Sequence, residues 1–215
     1  GNALFAEGLT QVEGVVGVAL WGDLRMDTLV AQGCRPVGEN FIVTSCDQNV
    51  IFQLDGHPCV DILDHVYSTL DNHEQLLFAH SPQVGIAIED GRDTPRRGDF
   101  LVRNILGADR NKGAIAVGAI PKHGQTVRFH IRDAGTSAED LATLLCSHQR
   151  MLGDQETHGA LIFSCLGRGS RFYGQPDHDS QLTQKHLGQI ALGGFFCNGE
   201  IGPVHGQTFL HGYTS

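Results

Sequence analysis

The 215-residue chain has no Cys-x-x-Cys pair, no His-Glu-x-x-His and no compact His/Asp cluster, so the common zinc signatures are missing. Its 12 His therefore read as scattered surface or core residues, and no metal site is expected. Positive charge is scarce as well: 15 Lys and Arg stand against 24 Asp and Glu, a formal charge of -9. The densest basic stretch, Arg92 to Arg97, is interrupted by Asp93. Binding to nucleic acid needs clustered cations to neutralise phosphates, so that class is set aside. No apolar run approaches the roughly 18 residues that cross a bilayer. Gly1-Asn2-Ala3 lacks the basic region and long apolar stretch of a signal peptide. The six Cys stand singly at 34, 46, 59, 146, 165 and 197, and a chain of this length buries a core without disulfides. The expectation is a soluble, cytoplasmic protein in a reducing setting, with no membrane partner.

What the sequence does have is glycine, 28 residues of it, placed at turns between short apolar runs. Val15 to Trp21 and Thr28 to Gln32 read as strands, the first as a run buried on both faces. Phe41 to Ser45 and Val50 to Leu54 read as a hairpin, and Pro58 opens an amphipathic helix with Cys59, Ile62, Leu63, Val66, Tyr67 and Leu70 on one stripe. A similar order recurs downstream: Gly113 to Ala119 and Thr126 to Arg132 flank Pro121 to Gly124, and a helix follows over about 137–148. Thr136 with Glu139 is the expected capping box there. Two hairpin-then-helix units are one reading of this recurrence, chance similarity the other. Gln83 to Glu89, Phe100 to Leu106, Ala160 to Cys165, Gln189 to Cys197 and Gln207 to Tyr213 complete the strands, with a polar helix near Asp177 to Leu187. The fold class is α+β: layered, mixed or mainly antiparallel sheets with a few helices packed on their outer faces.

The densest functional signal is Gly159-Ala-Leu-Ile-Phe-Ser-Cys-Leu-Gly-Arg168, followed by Gly193-Gly-Phe-Phe-Cys-Asn-Gly-Glu-Ile-Gly-Pro203 and Leu210-His211. Strand-like runs that end in small and polar residues deliver side chains to a cleft rim, which makes Ser164, Cys165, Arg168, Glu200 and His211 candidates for one site. Arg168 offers a guanidinium to a carboxylate or phosphate, or forms a structural ion pair with an acid such as Glu200. Glu200 lies among glycines that let the backbone approach a ligand; its other reading is an exposed turn carboxylate. Arg35, in a Gly-Cys-Arg-Pro turn, is either a loop anchor or an anion contact. Cys165 is a nucleophile only if His158 or His211 serves as its base, and residues 158 and 165 face opposite sides of a regular strand.

Gln32-Gly-Cys-Arg-Pro-Val-Gly38, Asp99-Phe-Leu-Val-Arg-Asn-Ile-Leu-Gly107 and Val127-Arg-Phe-His-Ile-Arg-Asp-Ala134, together with the C-terminal blocks, resemble the FIST domain, a sensory module of signal-transduction proteins. The resemblance places residues 1–56 as the tail of the N-terminal FIST half and 57–215 as the C-terminal FIST domain. It implies a non-enzymatic module that binds small ligands, amino acids among them, and passes occupancy to an output partner. The motif positions it carries over are Cys165, Arg168, Glu200 and His211, and with Ser164 and Arg35 from the reading of the residues these are the expected ligand contacts. Some family members are similar to nitric-oxide sensors that hold haem; this sequence carries no pattern for haem, and no cofactor is expected. The alternative is a cysteine-dependent hydrolase or transferase using Cys165. A homodimer through an exposed sheet edge is a third reading.

Overall fold

A computed structural model describes residues 3–88, 95, 98–204 and 206–215. In chain order the strands and helices are β1 (Leu4–Ala6), β2 (Leu9–Gln11), β3 (Cys34–Asp47), β4 (Val50–Leu54), β5 (His57–Pro58), α1 (Cys59–Thr69) and α2 (Asn72–His80). There follow β6 (Gln83–Ala87), β7 (Phe100–Asp109), β8 (Ala114–Val117), β9 (Thr126–Arg132) and α3 (Ala134–Leu152). The C-terminal part holds β10 (Gly159–Cys165), a 3-10 turn Leu166–Arg168, α4 (Ser170–Tyr173), α5 (His178–Leu187), β11 (Ala191–Cys197), β12 (Glu200–Val204) and β13 (Gln207–His211). Strand outweighs helix, 39% to 27%, and the fold is α+β as the sequence predicts.

Seven strands form one antiparallel sheet in the order β3-β9-β6-β7-β8-β4-β5. The 14-residue β3 pairs with β9 through its first half and with β4 through its second, so the sheet curls back on itself. The bend falls at a register break between Val37 and Phe41. Gly38 sits there at φ 63°, where a Cβ would press on Val66 of α1. Val60, Val66 and Phe78 of α1 and α2 then pack on Val37, Phe41, Val84 and Phe129, and the Phe78 and Phe129 rings meet edge-on at 6.1 Å.

Outside this sheet, β10 and β11 form a parallel pair, joined by the crossover through α4 and α5, and β12 and β13 form a hairpin. The C-terminal residues stitch the two parts together. Ala31 and Ser215 exchange both backbone hydrogen bonds, and Cys165 N–H donates to Thr214 O at 2.9 Å. Gln32 anchors the same seam: its N–H donates to Asp140 Oδ2 at 2.7 Å and its Nε2 to Phe100 O at 2.9 Å.

Several local expectations change. Val15 to Trp21 forms no strand: Val15, Val18 and Trp21 are 94%, 87% and 86% exposed, because no described strand offers it a ladder. Of Thr28 to Gln32 only a single bridge, Gln32 to Thr214, survives. β8 and β9 are not a hairpin, since β8 pairs with β7 and β4 while β9 pairs with β3 and β6. That removes the second hairpin-then-helix unit. Helix α3 starts earlier than predicted, with Asp133 rather than Thr136 as its cap: the Asp133 carboxylate accepts from Gly135 N and Thr136 N at 3.3 and 3.0 Å. The arginines of the Arg92 to Arg97 stretch and Glu89, the end of the expected Gln83 to Glu89 strand, lie outside the described residues.

Candidate functional site

β10 ends at Cys165, and the next three residues turn so tightly that Arg168 is carried inward; its side chain is 0% exposed. Burying a guanidinium requires a counter-charge and a partner for its donors. Both come from α5, whose Asp179 accepts from Arg168 Nε at 2.8 Å and from Nη2 at 3.3 Å. Nη1 donates to Ser137 Oγ of α3 at 2.6 Å, and the Tyr173 ring lies 5.6 Å from the guanidinium carbon. The acid opposite Arg168 is thus Asp179, and not Glu200. The carboxylate of α5 lay outside the sequence motif, and only the crossover between β10 and β11 brings it under the turn.

Asp179 collects more donors: Ser164 Oγ at 3.2 Å and His178 Nδ1 at 3.0 Å. Burial alone would raise its pKa, but the hydrogen bonds and charge of Arg168 and the His178 contact outweigh that and hold the carboxyl below the usual range. Tyr173 stacks on His178 at 3.7 Å and shares a hydrogen bond with Ser137 Oγ. Burial, first of all, pushes its phenol up to about 12. Ser164, Arg168 and Asp179 therefore form one polar knot between β10, α3 and α5.

Glu200 and His211 lie apart from that knot, as register partners across the β12–β13 hairpin. His211 Nε2 meets Gly202 O at 3.0 Å. His211 is one of the two bases named for the thiol-enzyme alternative, His158 being the other, and its Nε2 is turned to its own hairpin. Glu200 is 8% exposed, so the exposed-turn reading of its carboxylate is corrected. Its Oε2 accepts from Thr214 Oγ1 at 2.8 Å, while its Oε1 is buried without a partner among the described residues. Cys165 is half-buried and joins the two groups through Thr214, whose carbonyl takes the Cys165 N–H. Arg35 stands elsewhere, on β3 rather than in the expected turn, in an ion pair with Glu74 of α2 at 2.7 Å.

Arg132 closes β9, next to the Asp133 cap of α3. The structure places its guanidinium carbon 4.2 Å from the Phe172 ring centroid and 4.9 Å from that of Tyr213. One Nη donates to Gly167 O, and its Nε is buried without a partner among the described residues. A separate concavity at the C-terminal end of α3, lined by Gln149, Leu152, Glu156 and Leu187, holds none of these residues. Among the described residues no group of three or more His, Cys, Asp or Glu is placed to hold a metal ion, and no helix is long and apolar enough to cross a membrane.

Comparison with known proteins places these residues in a family. The FIST N domain model matches residues 2–57 and the FIST C domain model residues 60–203. Uncharacterized protein Mb0898c of Mycobacterium bovis is 40% identical over 213 residues, covering 99% of this chain and 54% of that protein. Uncharacterized protein Rv0628c of Mycobacterium tuberculosis is 41% identical over 212 residues, covering 99% and 55%. An F-box/LRR-repeat protein of Arabidopsis thaliana is 25% identical over 179 residues, covering 75% and 33%. The chain spans about half the length of the mycobacterial relatives. No solved structure matches it.

Proposed function

The chain belongs to the FIST family, whose domains are sensory modules of signal transduction, and from that premise we propose that it binds a small polar ligand of the amino-acid class and passes occupancy to an output partner. The observation that carries the reading is Glu200 Oε1, a carboxylate oxygen buried at a glycine-flanked turn with no donor among the described residues. Leaving such a group unsatisfied costs about 1–3 kcal/mol or more. A ligand ammonium or hydroxyl at that oxygen recovers the loss. Gly199 at φ 118° shapes the turn that presents it.

Arg168 acts from behind in this reading. Its donors are engaged by Asp179 and Ser137, and its part is to fix the turn between β10 and α4. The ligand's anionic group then needs another donor, and Arg132 Nε is the candidate. Signalling further requires that the ligand bind two conformations unequally.

The test is a thermal-shift series of amino acids and small amines on the wild-type chain and on Glu200→Gln, which removes the charge and keeps the shape. Ligand at a hundredfold excess over Kd stabilises by about 2.7 kcal/mol. The expected result is a rise in Tm for the wild type that Glu200→Gln loses. An equal rise in both proteins, or no rise with any compound of the series, overturns the reading.

A further inference from the structure

Cys165 and Cys197 are register partners on the parallel pair β10–β11, each the last residue of its strand. Side chains alternate along a strand, and partners in a parallel ladder are level, so both thiols project to the same face. Neighbouring strands run about 4.8 Å apart, inside the Cα separation of about 4.4–6.8 Å that a disulfide spans. Both cysteines are free and half-buried. Burial first, then the charges of Glu200 and of Cys165, push the Cys197 thiol up.

The other four cysteines are placed differently. Cys34 and Cys59 are buried, and burial pushes the Cys59 thiol up to about 12. Cys46 faces Pro121 O at 3.5 Å, and Cys146 sits on α3. Among the described strands, 165 and 197 are the two cysteines that share a register pair.

We propose that Cys165 and Cys197 are a dithiol modification site, oxidised reversibly by a peroxide to a cross-strand disulfide. One sulfur attacks the peroxide, its S–O bond forming as the O–O bond breaks and water or an alcohol leaves. The second sulfur displaces the sulfenic oxygen, which leaves as water. Two thiols lose two hydrogens and two electrons, and the peroxide takes up both. In-register parallel partners hold their Cβ atoms near the strand spacing, beyond the about 3.5–4.5 Å of a relaxed disulfide. Strained disulfides have the more oxidising potentials and are the labile ones, so this bond re-opens with a dithiol reductant.

The location gives the bond a consequence. Cys165 leads directly into the turn that carries Arg168, and Cys197 into the turn that carries Glu200. The cross-link therefore ties these two turns together at their roots. The chemistry itself does not depend on the ligand reading.

The experiment treats the chain with hydrogen peroxide, denatures it, alkylates the remaining thiols and maps the peptides by mass spectrometry. The expected product has lost two hydrogens and two alkylation sites, with residues 165 and 197 in one linked peptide, and dithiothreitol restores all six free thiols. Cys165→Ser and Cys197→Ser each abolish the link, and Cys146→Ser leaves it. Phenylarsine oxide, which chelates adjacent thiols without oxidation, binds the wild type once and neither variant at 165 or 197, a readout that also guards against misfolded variants. A disulfide mapped to any other pair, sulfonic acid at Cys165 with Cys197 still free, or no uptake of the arsenical by the folded wild type overturns the proposal.

Discussion

Arg168 and Asp179 form a two-pronged buried ion pair, Nε to Oδ2 at 2.8 Å and Nη2 to Oδ1 at 3.3 Å, that locks α5 beneath the end of β10. Taking one partner away leaves the other charged and dry. Asp179→Ala or Arg168→Ala is expected to cost about 3–5 kcal/mol, measured by urea unfolding. The double replacement Arg168→Met with Asp179→Leu is expected to cost less than either single change, because neither charge is then stranded. Simple additivity of the two single losses would argue that the pair is not coupled.

The same pair sets an acid dependence. Asp179 has its folded pKa lowered, and an unfolded Asp titrates near about 3.9. A lowered folded value means that the stabilisation is fully present above the unfolded pKa and is lost as pH falls through the folded one. Unfolding free energy is therefore expected to fall below about pH 4, and the Asp179→Asn variant to show a shallower fall over the same window. Identical slopes for the two proteins would remove Asp179 from the acid transition.

Gly193 and Gly194 make a matched pair of probes for the β10–β11 sheet. A Cβ on Gly193 meets Leu161 at an ordinary 3.6 Å. One on Gly194, at φ 147°, would run into the Ile162 carbonyl. Gly194→Ala is expected to lower Tm by several degrees more than Gly193→Ala, a loss on the scale of a strained backbone, about 1–3 kcal/mol. Equal effects in a thermal melt would mean that the two strands separate easily.

Much of this was legible in the sequence. Alternation in Val127, Phe129 and Ile131 marked β9, and Pro58 before an apolar stripe marked the start of α1. Helix α2 was missed although Asp71 and Glu74 form a full capping box, because its apolar stripe is short. The polar knot was half legible: Ser164 and Arg168 lie in a conspicuous block, whereas Asp179 and Ser137 sit on helices outside it. Local patterns report which face an element buries. They do not report which distant element a crossover lays across it, and the partner of Arg168 is a fact of that second kind. Val15 to Trp21 shows the converse: its apolar pattern is strand-like, and pairing needs a neighbour that the pattern cannot supply.

Asp133 closes the N-terminus of α3, a 19-residue helix whose Leu141 and Leu145 pack with Ala31 and whose Ser137 holds Arg168. Its carboxylate accepts from the N–H of Gly135 and of Thr136 and from the Thr136 hydroxyl. Burial works against the charged form, but those hydrogen bonds prevail and the pKa is lowered. Losing such a cap costs about 0.5–2 kcal/mol. Asp133→Ala is expected to fall in that range by urea unfolding, and Asp133→Ser to recover most of it, since a serine oxygen still accepts from the helix. Thr136→Ala removes only the hydroxyl contact and is expected to cost less than Asp133→Ala. The reverse order would return the cap to Thr136, as the sequence pattern has it.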